Sequence, residues 1–461
     1  MARVFISATH KSSGKTTLSI GLCAALRAQG LAVQPFKKGP DYIDPLWLGA
    51  ASGRACHNLD FNTMTADEIL HTLQHYARDA DVALIEANKG LYDGMALDGS
   101  DSNAAVARLT RSPVVLVVDT RGMTRGVAPL LLGYQQFDTQ LAIAGIIFNR
   151  VGGARHAAKL RESVEYYTDI KVLGAVHNNP AMEIEERHLG LMPSNESGEA
   201  EAQIARIRAL VEEQVDLALL RAIAGRAEAL PAARVETRAE TPAPDIRIAI
   251  CQDPSFGFYY PGDLEALQQA GAELVPVNTL QDAALPTGID GLFIGGGFPE
   301  THMRQLAANG PMRASIRAAI DNGLPTYAEC GGLMYLSRRL VWDGQQAEMV
   351  GVIPGDAVMH RKPQGRGYVK VQETADMPWP GGGSAKTINA HEFHYSRLEN
   401  LTASGKFAYR IQRGAGIDGQ HDGWIYRNLL ASYTHMRDTS QYRWAQRFVE
   451  FIRQQKRKPA S

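Results

Sequence analysis

The sequence predicts an α/β protein of two domains, and three observations lead to this prediction. The first half of the chain alternates short runs rich in Val and Ile with helical patterns, which is typical of a doubly wound parallel sheet. Residues 224–245 are rich in Ala, Pro and charged residues without an apolar period, which is typical of a linker. A second α/β pattern follows. We therefore predict domains at residues 1–223 and 246–461.

Each predicted element rests on its local pattern. In the first domain, apolar runs predict buried strands at residues 3–8, 81–87, 113–119, 143–149 and 171–176. Apolar spacing predicts a helix at residues 16–29, with Gly30 as its C-terminal cap. In the second domain, we predict strands at residues 246–251, 273–277, 291–294, 326–328 and 429–433, and helices at residues 262–270, 312–322 and 441–455.

The composition excludes several classes of protein. Among 461 residues, 48 Lys and Arg stand against 49 Asp and Glu, and this balance argues against a general nucleic-acid binder or a polybasic membrane-surface protein. No apolar run reaches the roughly 18 residues of a membrane span, and the first residues lack a signal-peptide pattern. Four widely spaced cysteines argue against a disulfide framework or a zinc site. We therefore expect a cytoplasmic protein without nucleic-acid or membrane partners.

Residues 9–17 (THKSSGKTT) join the first predicted strand to the first predicted helix. Backbone N–H groups at a helix N-terminus bind phosphate, and the helix dipole favours its negative charge. In this pattern the lysine reaches the terminal phosphates and the following hydroxyl lies on Mg²⁺. We therefore predict nucleotide binding by Ser12, Ser13, Gly14, Lys15, Thr16 and Thr17. Thr9 replaces the first glycine of the usual motif, and the alternative is a chance Gly-Lys-Thr at a helix start.

Phosphoryl transfer also needs carboxylates near Mg²⁺. Glu86 ends a predicted parallel strand, where side chains face the ligand crevice. Asp41 and Asp44 lie in residues 37–45 (KKGPDYIDP), which we predict to be a loop because the segment has too many turn residues for a helix and too many charges for a core. The alternative for Glu86 is that it caps the next turn, and the alternative for residues 37–45 is a plain solvated loop.

A candidate nucleophile, Cys330, follows a predicted strand and precedes an apolar helix, with Gly331 and Gly332 after it. A sharp strand-to-helix turn needs small neighbours, and we expect the helix N-terminus to lower the pKa of the thiol. Residues 295–300 (GGGFPE) follow another strand end, where glycine lets backbone N–H groups form an oxyanion hole. The alternative is a buried structural cysteine.

The general base must come from elsewhere in the chain. Two segments with histidine are candidates, residues 391–396 (HEFHYS) and 432–435 (SYTH). His435 follows the predicted strand at residues 429–433.

These residues resemble the cobyrinate (or hydrogenobyrinate) a,c-diamide synthases, which are glutamine-dependent amidases of tetrapyrrole acetate side chains. The resemblance runs nearly end to end and rests on seven strings in the family's order: SSGKTT, KKGPDYIDP, GLYDG, GGGFPE, AECGGLMYL, HEFHYS and ASYTH. The first half resembles the dethiobiotin-synthetase type of P-loop domain, and the second half resembles a class I glutamine amidotransferase. The resemblance implies ATP, Mg²⁺, L-glutamine, a tetrapyrrole carboxylate substrate and a homodimer.

The resemblance also implies a role for each matching residue. Cys330 attacks glutamine, His435 is the base, and N–H groups of Gly297 and Gly331 stabilise the oxyanion. Released ammonia then displaces phosphate from an acyl phosphate that ATP forms on the substrate. The implied metal ligands are Thr16, Asp41 and Glu86, and the residues implied to face the substrate are Asp41, Tyr42, Asp44 and Asp93.

Three departures from the family pattern bear on mechanism and substrate. Arg437 stands two residues after His435, where many class I amidotransferases carry glutamate, so another group orients His435 or the site is a dyad. Residues 87–90 (ANKG) and the loop at residues 9–13 also differ from the common forms, and they resemble a branch found with sulfur-oxidation proteins and thought to amidate sirohaem. A corrinoid and a sirohaem substrate both stay open.

Two other hypotheses compete with this one. A P-loop switch protein with an inactive amidotransferase half would explain Arg437 and Thr9. Cobyric acid synthase shares both domain types, and the string KKGPDYIDP argues against it by resemblance.

Overall fold

The structure is a computed structural model, and it describes residues 1–187, 190–196, 198–233, 242–402 and 405–457. The chain divides into two compact units, residues 1–236 and 237–461. The predicted linker at residues 224–245 includes residues 234–241, which lie outside the described residues, so the linker stays a prediction.

The first unit is built on parallel strands. They are β1 (Ala2–Ala8), β2 (Val33–Lys38), β3 (His57–Leu59), β4 (Val82–Glu86), β5 (Val114–Asp119), β6 (Ile143–Val151) and β7 (Lys171–His177), and a short pair follows, β8 (Glu186–Arg187) and β9 (Gly190–Leu191). The first seven form one sheet in the order β3-β2-β4-β1-β5-β6-β7. The helices are α1 (Lys15–Ala28), α2 (Ile43–Ser52), α3 (Ala66–Tyr76), α4 (Asn103–Leu109), α5 (Val127–Phe137), α6 (Ala154–Tyr167), α7 (Ala200–Gln214) and α8 (Leu217–Ala224).

Side chains of this sheet alternate between two apolar cores. Val82 and Leu84 of β4 pack in one core with α1 and α7, and Ala83 and Ile85 pack in the other with α3 to α6. Both faces are therefore covered by helices, which confirms the predicted doubly wound sheet.

The predicted strands of this unit correspond to β1, β4, β5, β6 and β7, and the predicted helix at residues 16–29 corresponds to α1. The sequence pattern did not predict β2 and β3. The sequence of β2, VQPFKK, holds three polar residues and a proline, so it lacks the apolar run that indicates a buried strand, although all six residues are buried.

The second unit contains a larger set of strands. They are β10 (Ile246–Cys251), β11 (Ala272–Val277), β12 (Gly291–Ile294), β13 (Thr326–Glu329), β14 (Ser337–Trp342), β15 (Gln345–Glu348), β16 (Ile353–Met359), β17 (Gly365–Glu373), β18 (Thr387–His394), β19 (Ser396–Glu399), β20 (Lys406–Arg413), β21 (His421–Tyr426) and β22 (Leu429–Ser432). Its helices are α9 (Pro261–Gln269), α10 (Met303–Ala308), α11 (Gly310–Asp321), α12 (Gly331–Leu336) and α13 (Trp444–Arg457).

Nine of these strands form one mixed sheet in the order β11-β10-β12-β13-β22-β21-β20-β17-β18, and four form a smaller sheet in the order β15-β14-β16-β19. In the larger sheet, β11, β10, β12, β13 and β22 pair in parallel with one another. The pairs β22–β21, β21–β20, β20–β17 and β17–β18 are antiparallel. The five predicted strands are the parallel ones. The antiparallel strands were missed because they lack a long apolar run, as in β17 (GRGYVKVQE).

No helix among the described residues is long and apolar enough to cross a membrane.

Candidate active sites

The predicted phosphate loop connects β1 to α1. Gly14 has a φ of 85°, a left-handed conformation that favours glycine, and a Cβ there would lie 2.1 Å from Nδ2 of Asn149. The Asn149 amide donates to the Ser13 carbonyl at 2.9 Å and so ties the loop to β6. In this described loop, the N–H groups of residues 14–17 donate to no protein acceptor. They are therefore available to a phosphate at the start of α1, and nucleotide binding by these residues stays a prediction.

Other residues of the loop contribute in different ways. The Ser13 hydroxyl is buried and donates to the His10 carbonyl at 2.7 Å, so the N–H group is what Ser13 can offer to a phosphate. Ser12 has a φ of 65°, and its carbonyl accepts a hydrogen bond from Arg150 at 2.9 Å. Thr17 is half-buried in the first turn of α1, and its binding role stays a prediction.

A buried lysine that the sequence analysis did not single out joins the predicted carboxylates. Lys37 lies at the end of β2, where it is the register partner of Glu86 on β4. The Lys37 ammonium donates to Glu86 Oε1 at 2.8 Å and also binds Asp44. Asp41 Oδ2 lies 3.7 Å from the same ammonium, and the Thr16 hydroxyl donates to Glu86 Oε1 at 2.7 Å. The carboxylates predicted from three separate positions therefore meet at one cation beside the phosphate loop.

The prediction that residues 37–45 form a loop is wrong at both ends. Lys37 and Lys38 belong to β2 and are 1% and 5% exposed, and α2 begins at Ile43. Charge can be buried here because it is paired, which sequence composition does not reveal. Asp41 Oδ1 accepts the N–H groups of Ile43 and Asp44 at 3.0 and 3.2 Å, and these bonds help to start α2.

The cluster shifts the pKa values of its own members. Burial alone would raise the pKa of Asp44, but Lys37 and Lys15 outweigh it and the pKa is lowered. Burial and the neighbouring Asp44 raise the pKa of Asp41 to about 7. Burial and Lys37 lower the pKa of Lys15. At neutral pH Asp44 is therefore ionised, whereas Asp41 lies near its own midpoint.

The donor set of this cluster fits Mg²⁺. A hydroxyl from Thr16 and carboxylates from Asp41 and Glu86 are hard oxygen ligands, which Mg²⁺ prefers alongside water and nucleotide phosphates. Glu86 Oε2 is buried and has no hydrogen-bond partner among the described residues, as expected of an oxygen that a cation would satisfy. No group of three His, Cys, Asp or Glu in the described ranges is placed to hold a metal by itself.

Asp93 lies outside this cluster, in an exposed loop against the phosphate loop. Its Oδ2 accepts the N–H of Gly90 at 2.9 Å, and a Cβ at Gly90 would lie 2.9 Å from the Thr9 carbonyl oxygen. Asp93 is thus held near the start of the phosphate loop. Tyr42 is 9% exposed and directly precedes α2. The substrate roles of Asp93 and Tyr42 stay predictions.

In the second unit, Cys330 occupies the predicted strand-to-helix turn. It has a φ of 46°, lies between β13 and α12, and donates its N–H to the Ser432 carbonyl at 2.7 Å. A non-glycine residue in this conformation costs about 1–3 kcal/mol, which the surrounding strands must offset. β13 and β22 are parallel neighbours, with Glu329 opposite Ser432 in the register. Cys330 and His435 therefore follow the carboxyl ends of adjacent strands.

The predicted oxyanion glycines lie beside each other. A Cβ at Gly331 would lie 2.9 Å from both the N and the O of Gly297, and a Cβ at Gly332 would lie 2.3 Å from the Ile294 carbonyl oxygen. A Cβ at Gly296 would lie 2.7 Å from Cε1 of His435. Glycine is required at these positions by close approach of backbone and ring. The loop is therefore adjacent to both the nucleophile turn and the candidate base, and its function as an oxyanion hole stays a prediction.

The two histidine segments of the prediction lie side by side. The rings of His391 and His435 stack with centroids 4.9 Å apart and an angle of 14°, and their backbones exchange two hydrogen bonds. Burial, then His435 and Arg437, lower the pKa of His391 well below its usual value. His391 is therefore neutral at physiological pH.

The sequence analysis missed the carboxylate that contacts His435. Glu329 Oε2 lies 3.3 Å from His435 Nδ1, and both side chains are 4% exposed. The sequence left open whether another group orients His435 or the site is a dyad. The contact with Glu329 favours orientation by another group. Glu329 directly precedes Cys330, and a charged residue at the end of a buried strand was the available signal.

Burial raises the pKa of the Cys330 thiol, and the carboxylates of Glu300 and Glu329 raise it further. The Gly331 N–H acts in the opposite direction but is outweighed. The expectation of a lowered pKa is therefore wrong, because burial and nearby negative charge outweigh the N–H group at the start of the six-residue helix α12. The thiol is protonated at neutral pH and needs a base.

Each half of the chain matches a protein-family model. Residues 4–191 match the CobQ/CobB/MinD/ParA nucleotide binding domain, and residues 247–441 match the CobB/CobQ-like glutamine amidotransferase domain. These family models and the relatives of the chain define an ATP-dependent carbon–nitrogen ligase that uses glutamine as amide donor. Membership in this class favours an enzyme over the competing hypothesis of a P-loop switch protein with an inactive amidotransferase half.

Relatives extend over nearly the whole chain. A cobyrinate a,c-diamide synthase from Magnetococcus marinus is 46% identical over 98% of this chain and 97% of its own length. Proteins of the same name from Methanosarcina acetivorans and Archaeoglobus fulgidus are each 39% identical over 97% of this chain, and over 95% and 97% of their own lengths. The chain belongs to the cobyrinate a,c-diamide synthase family, which confirms the resemblance drawn from its motifs.

The Lys37 cluster predicts a large effect of a single substitution. Lys37→Met leaves the Asp44 and Glu86 carboxylates buried without their cation, and breaking a buried pair costs about 3–5 kcal/mol. We expect a lower urea midpoint and loss of ATP-dependent amidation with either glutamine or free ammonia. Lys38→Met is the matched control, since Lys38 donates to a backbone carbonyl of Asp101 at 2.8 Å. Equal stability and activity of the two variants would contradict the proposed importance of the cluster.

The raised pKa of Cys330 predicts the pH dependence of its alkylation. A thiol with a raised pKa has less thiolate at every pH below that pKa, so its iodoacetamide rate should still rise beyond pH of about 8.5, the midpoint of an ordinary thiol. The measurement is the rate of labelling of the Cys330 peptide by mass spectrometry, with N-acetylcysteine in the same tube as reference. A rate that levels off below pH of about 8 would show that the thiolate is already present at neutral pH.

Proposed function

We propose that this enzyme amidates acetate side chains of a cobyrinate-type tetrapyrrole, with ATP and glutamine, through an acyl-phosphate intermediate. The observation that carries the substrate class is the 46% identity, over 98% of the chain, to a relative named cobyrinate a,c-diamide synthase. The geometry of the two sites supports the two half-reactions separately.

The glutaminase half-reaction needs a nucleophile, a base and an oxyanion site. The Cys330 sulfur attacks the glutamine amide carbon while His435 takes the thiol proton, and the amide oxygen gains negative charge. N–H groups near Gly297 and Gly331 stabilise that charge. The tetrahedral intermediate collapses to a thioester and releases ammonia, which takes the proton from His435, and water then hydrolyses the thioester.

The amidation half-reaction needs an activated carboxylate, since a carboxylate is a poor electrophile and hydroxide a poor leaving group. A substrate carboxylate oxygen attacks the γ-phosphorus of ATP, and the bond from that phosphorus to the ADP oxygen breaks. Ammonia then attacks the acyl carbon, and phosphate leaves with the electron pair of its C–O bond. Lys15 at the start of α1 and Lys37 beside Glu86 oppose the negative charge of the phosphates. Mg²⁺ held by Thr16, Asp41 and Glu86 would supply further neutralisation of these phosphates.

Within the tetrapyrroles we favour a corrinoid. The relatives that cover nearly the whole chain are named for cobyrinate. The departures at residues 9–13 and 87–90 resemble the sirohaem-linked branch, and a sirohaem product is therefore an outcome that the test must be able to report.

The substrate proposal is tested by offering cobyrinate and sirohaem in parallel to the full chain with ATP, Mg²⁺ and glutamine. Each acid-to-amide conversion lowers the product mass by a small fixed amount, so mass spectrometry counts the amidations. We expect mass shifts with cobyrinate and none with sirohaem. Mass shifts with sirohaem and none with cobyrinate would identify sirohaem as the substrate. No mass shift in either compound would exclude the tetrapyrrole proposal.

The two-site scheme is tested by Cys330→Ser. Removal of the nucleophile should abolish glutamine-driven amidation, with free ammonia still supporting turnover at a rate near that of the unaltered enzyme, because ammonia enters after the glutaminase step. Cys251→Ala is the control for loss of another buried cysteine of the same unit. Loss of both activities in a folded Cys330→Ser protein would count against two separate sites.

A further inference from the structure

We infer that Glu329 is the positioning residue of the glutaminase site, in place of the carboxylate that class I amidotransferases usually carry two residues after the catalytic histidine. In this chain that position holds Arg437. The inference rests on the proposed function only insofar as Cys330 and His435 form a glutaminase site.

Three contacts fix the Glu329 carboxylate. Its Oε2 lies 3.3 Å from Nδ1 of His435. Its Oε1 accepts the backbone N–H of Met436 at 2.9 Å and the hydroxyl of Tyr327 at 2.5 Å. Because Met436 follows His435 in the chain, one carboxylate anchors both the ring and the adjoining backbone. Glu329 is 3% exposed and ends β13, so the carboxylate has little freedom to move.

This geometry selects one tautomer of His435. A carboxylate 3.3 Å from Nδ1 favours the tautomer with its proton on Nδ1, which leaves the lone pair on Nε2. When the Cys330 S–H bond breaks, its proton is transferred to Nε2 as the sulfur bonds to the amide carbon. The imidazolium that results is stabilised by the negative charge of Glu329, as the buried carboxylate does in other triads.

The groups around the pair favour the same arrangement. His391 stacks against His435 and is neutral, so it adds no second positive charge when the imidazolium forms. The Arg437 guanidinium lies over the Tyr260 ring, 4.8 Å from its centroid. A cation–π contact therefore accommodates the arginine that stands in the usual glutamate position.

The backbone contact of Met436 predicts how Glu329→Gln would behave. The N–H of Met436 requires an acceptor, so the amide oxygen should take the Oε1 position and the amide NH₂ should face His435. A donor at Nδ1 moves the ring proton to Nε2, which can then no longer accept the thiol proton. The fold should be kept, whereas the base is lost.

The experiment compares glutamine-driven and ammonia-driven amidation by the full chain. For Glu329→Gln we expect glutamine-driven kcat to fall about 10²–10⁴-fold, with KM for glutamine within about threefold of the unaltered value. Ammonia-driven turnover should stay unchanged. Glu329→Asp, which restores the charge, should recover at least about tenfold over the Gln variant. Glu373→Gln is the matched control, since Glu373 is a buried carboxylate bonded to Arg447 and Tyr442, and its glutamine-driven kcat should stay near that of the unaltered enzyme.

A readout that needs no tetrapyrrole separates this inference from the proposed function. The rate at which a glutamine-analogue diazoketone labels Cys330 should fall in Glu329→Gln and not in Glu373→Gln. Labelling and glutamine-driven kcat within about threefold of the unaltered enzyme would overturn the inference. If labelling slows in Glu329→Gln and not in Glu373→Gln, but the unaltered enzyme amidates neither tetrapyrrole, the proposed substrate is overturned and the inference stands. If Glu329→Gln does not fold, a folded Glu329→Asp with unchanged kcat and labelling would equally overturn the inference.

Discussion

Parallel strand pairing is the constraint on which both sites depend. Parallel neighbours end at the same edge of a sheet, so residues far apart in sequence are brought to one place. In the first unit, the pairing of β2 with β4 sets Lys37 opposite Glu86. In the second unit, the pairing of β13 with β22 sets Glu329 opposite Ser432, and Cys330 and His435 follow these strand ends. A shift of either register by one residue would turn these side chains to the other face and separate the reacting groups.

This constraint explains what the sequence could and could not predict. The phosphate loop and the nucleophile turn are contiguous, so their strand, loop and glycine pattern was sufficient to place Gly14 and Cys330. Lys37 and Glu329 act through partners 49 and about a hundred residues away, and no local pattern reveals such a pairing. Both also lie in strands, where a charge weakens the apolar signal. Because charged residues interrupt its apolar run, β2 was not predicted, and residues 37–45 were wrongly predicted to be a loop.

Electrostatics distinguishes the two sites. The phosphate-side cluster buries cations and carboxylates together, with Lys37 and Lys15 lowering the pKa of Asp44, and so prepares a site for a more highly charged ligand. At the thiol site, the largest influences on the pKa of Cys330 are burial and neighbouring carboxylates. Burial, Glu300 and Glu329 keep Cys330 protonated, so its reactivity depends on proton transfer at the moment of attack. A resting thiol of this kind is protected from oxidation and from unproductive acylation, because the thiolate is the reactive form.

The position of Glu329 has a consequence for how rigid the glutaminase site is. A glutamate two residues after the histidine belongs to the same loop as the base, and a movement of that loop carries both residues together. Glu329 belongs to β13, in the middle of the sheet, and precedes the nucleophile itself. Glu329 thus links the candidate nucleophile, which follows it in the chain, to the candidate base His435, which it contacts. The relative placement of Cys330 and His435 is then set by the β13–β22 pairing, in which every residue of both strands is buried.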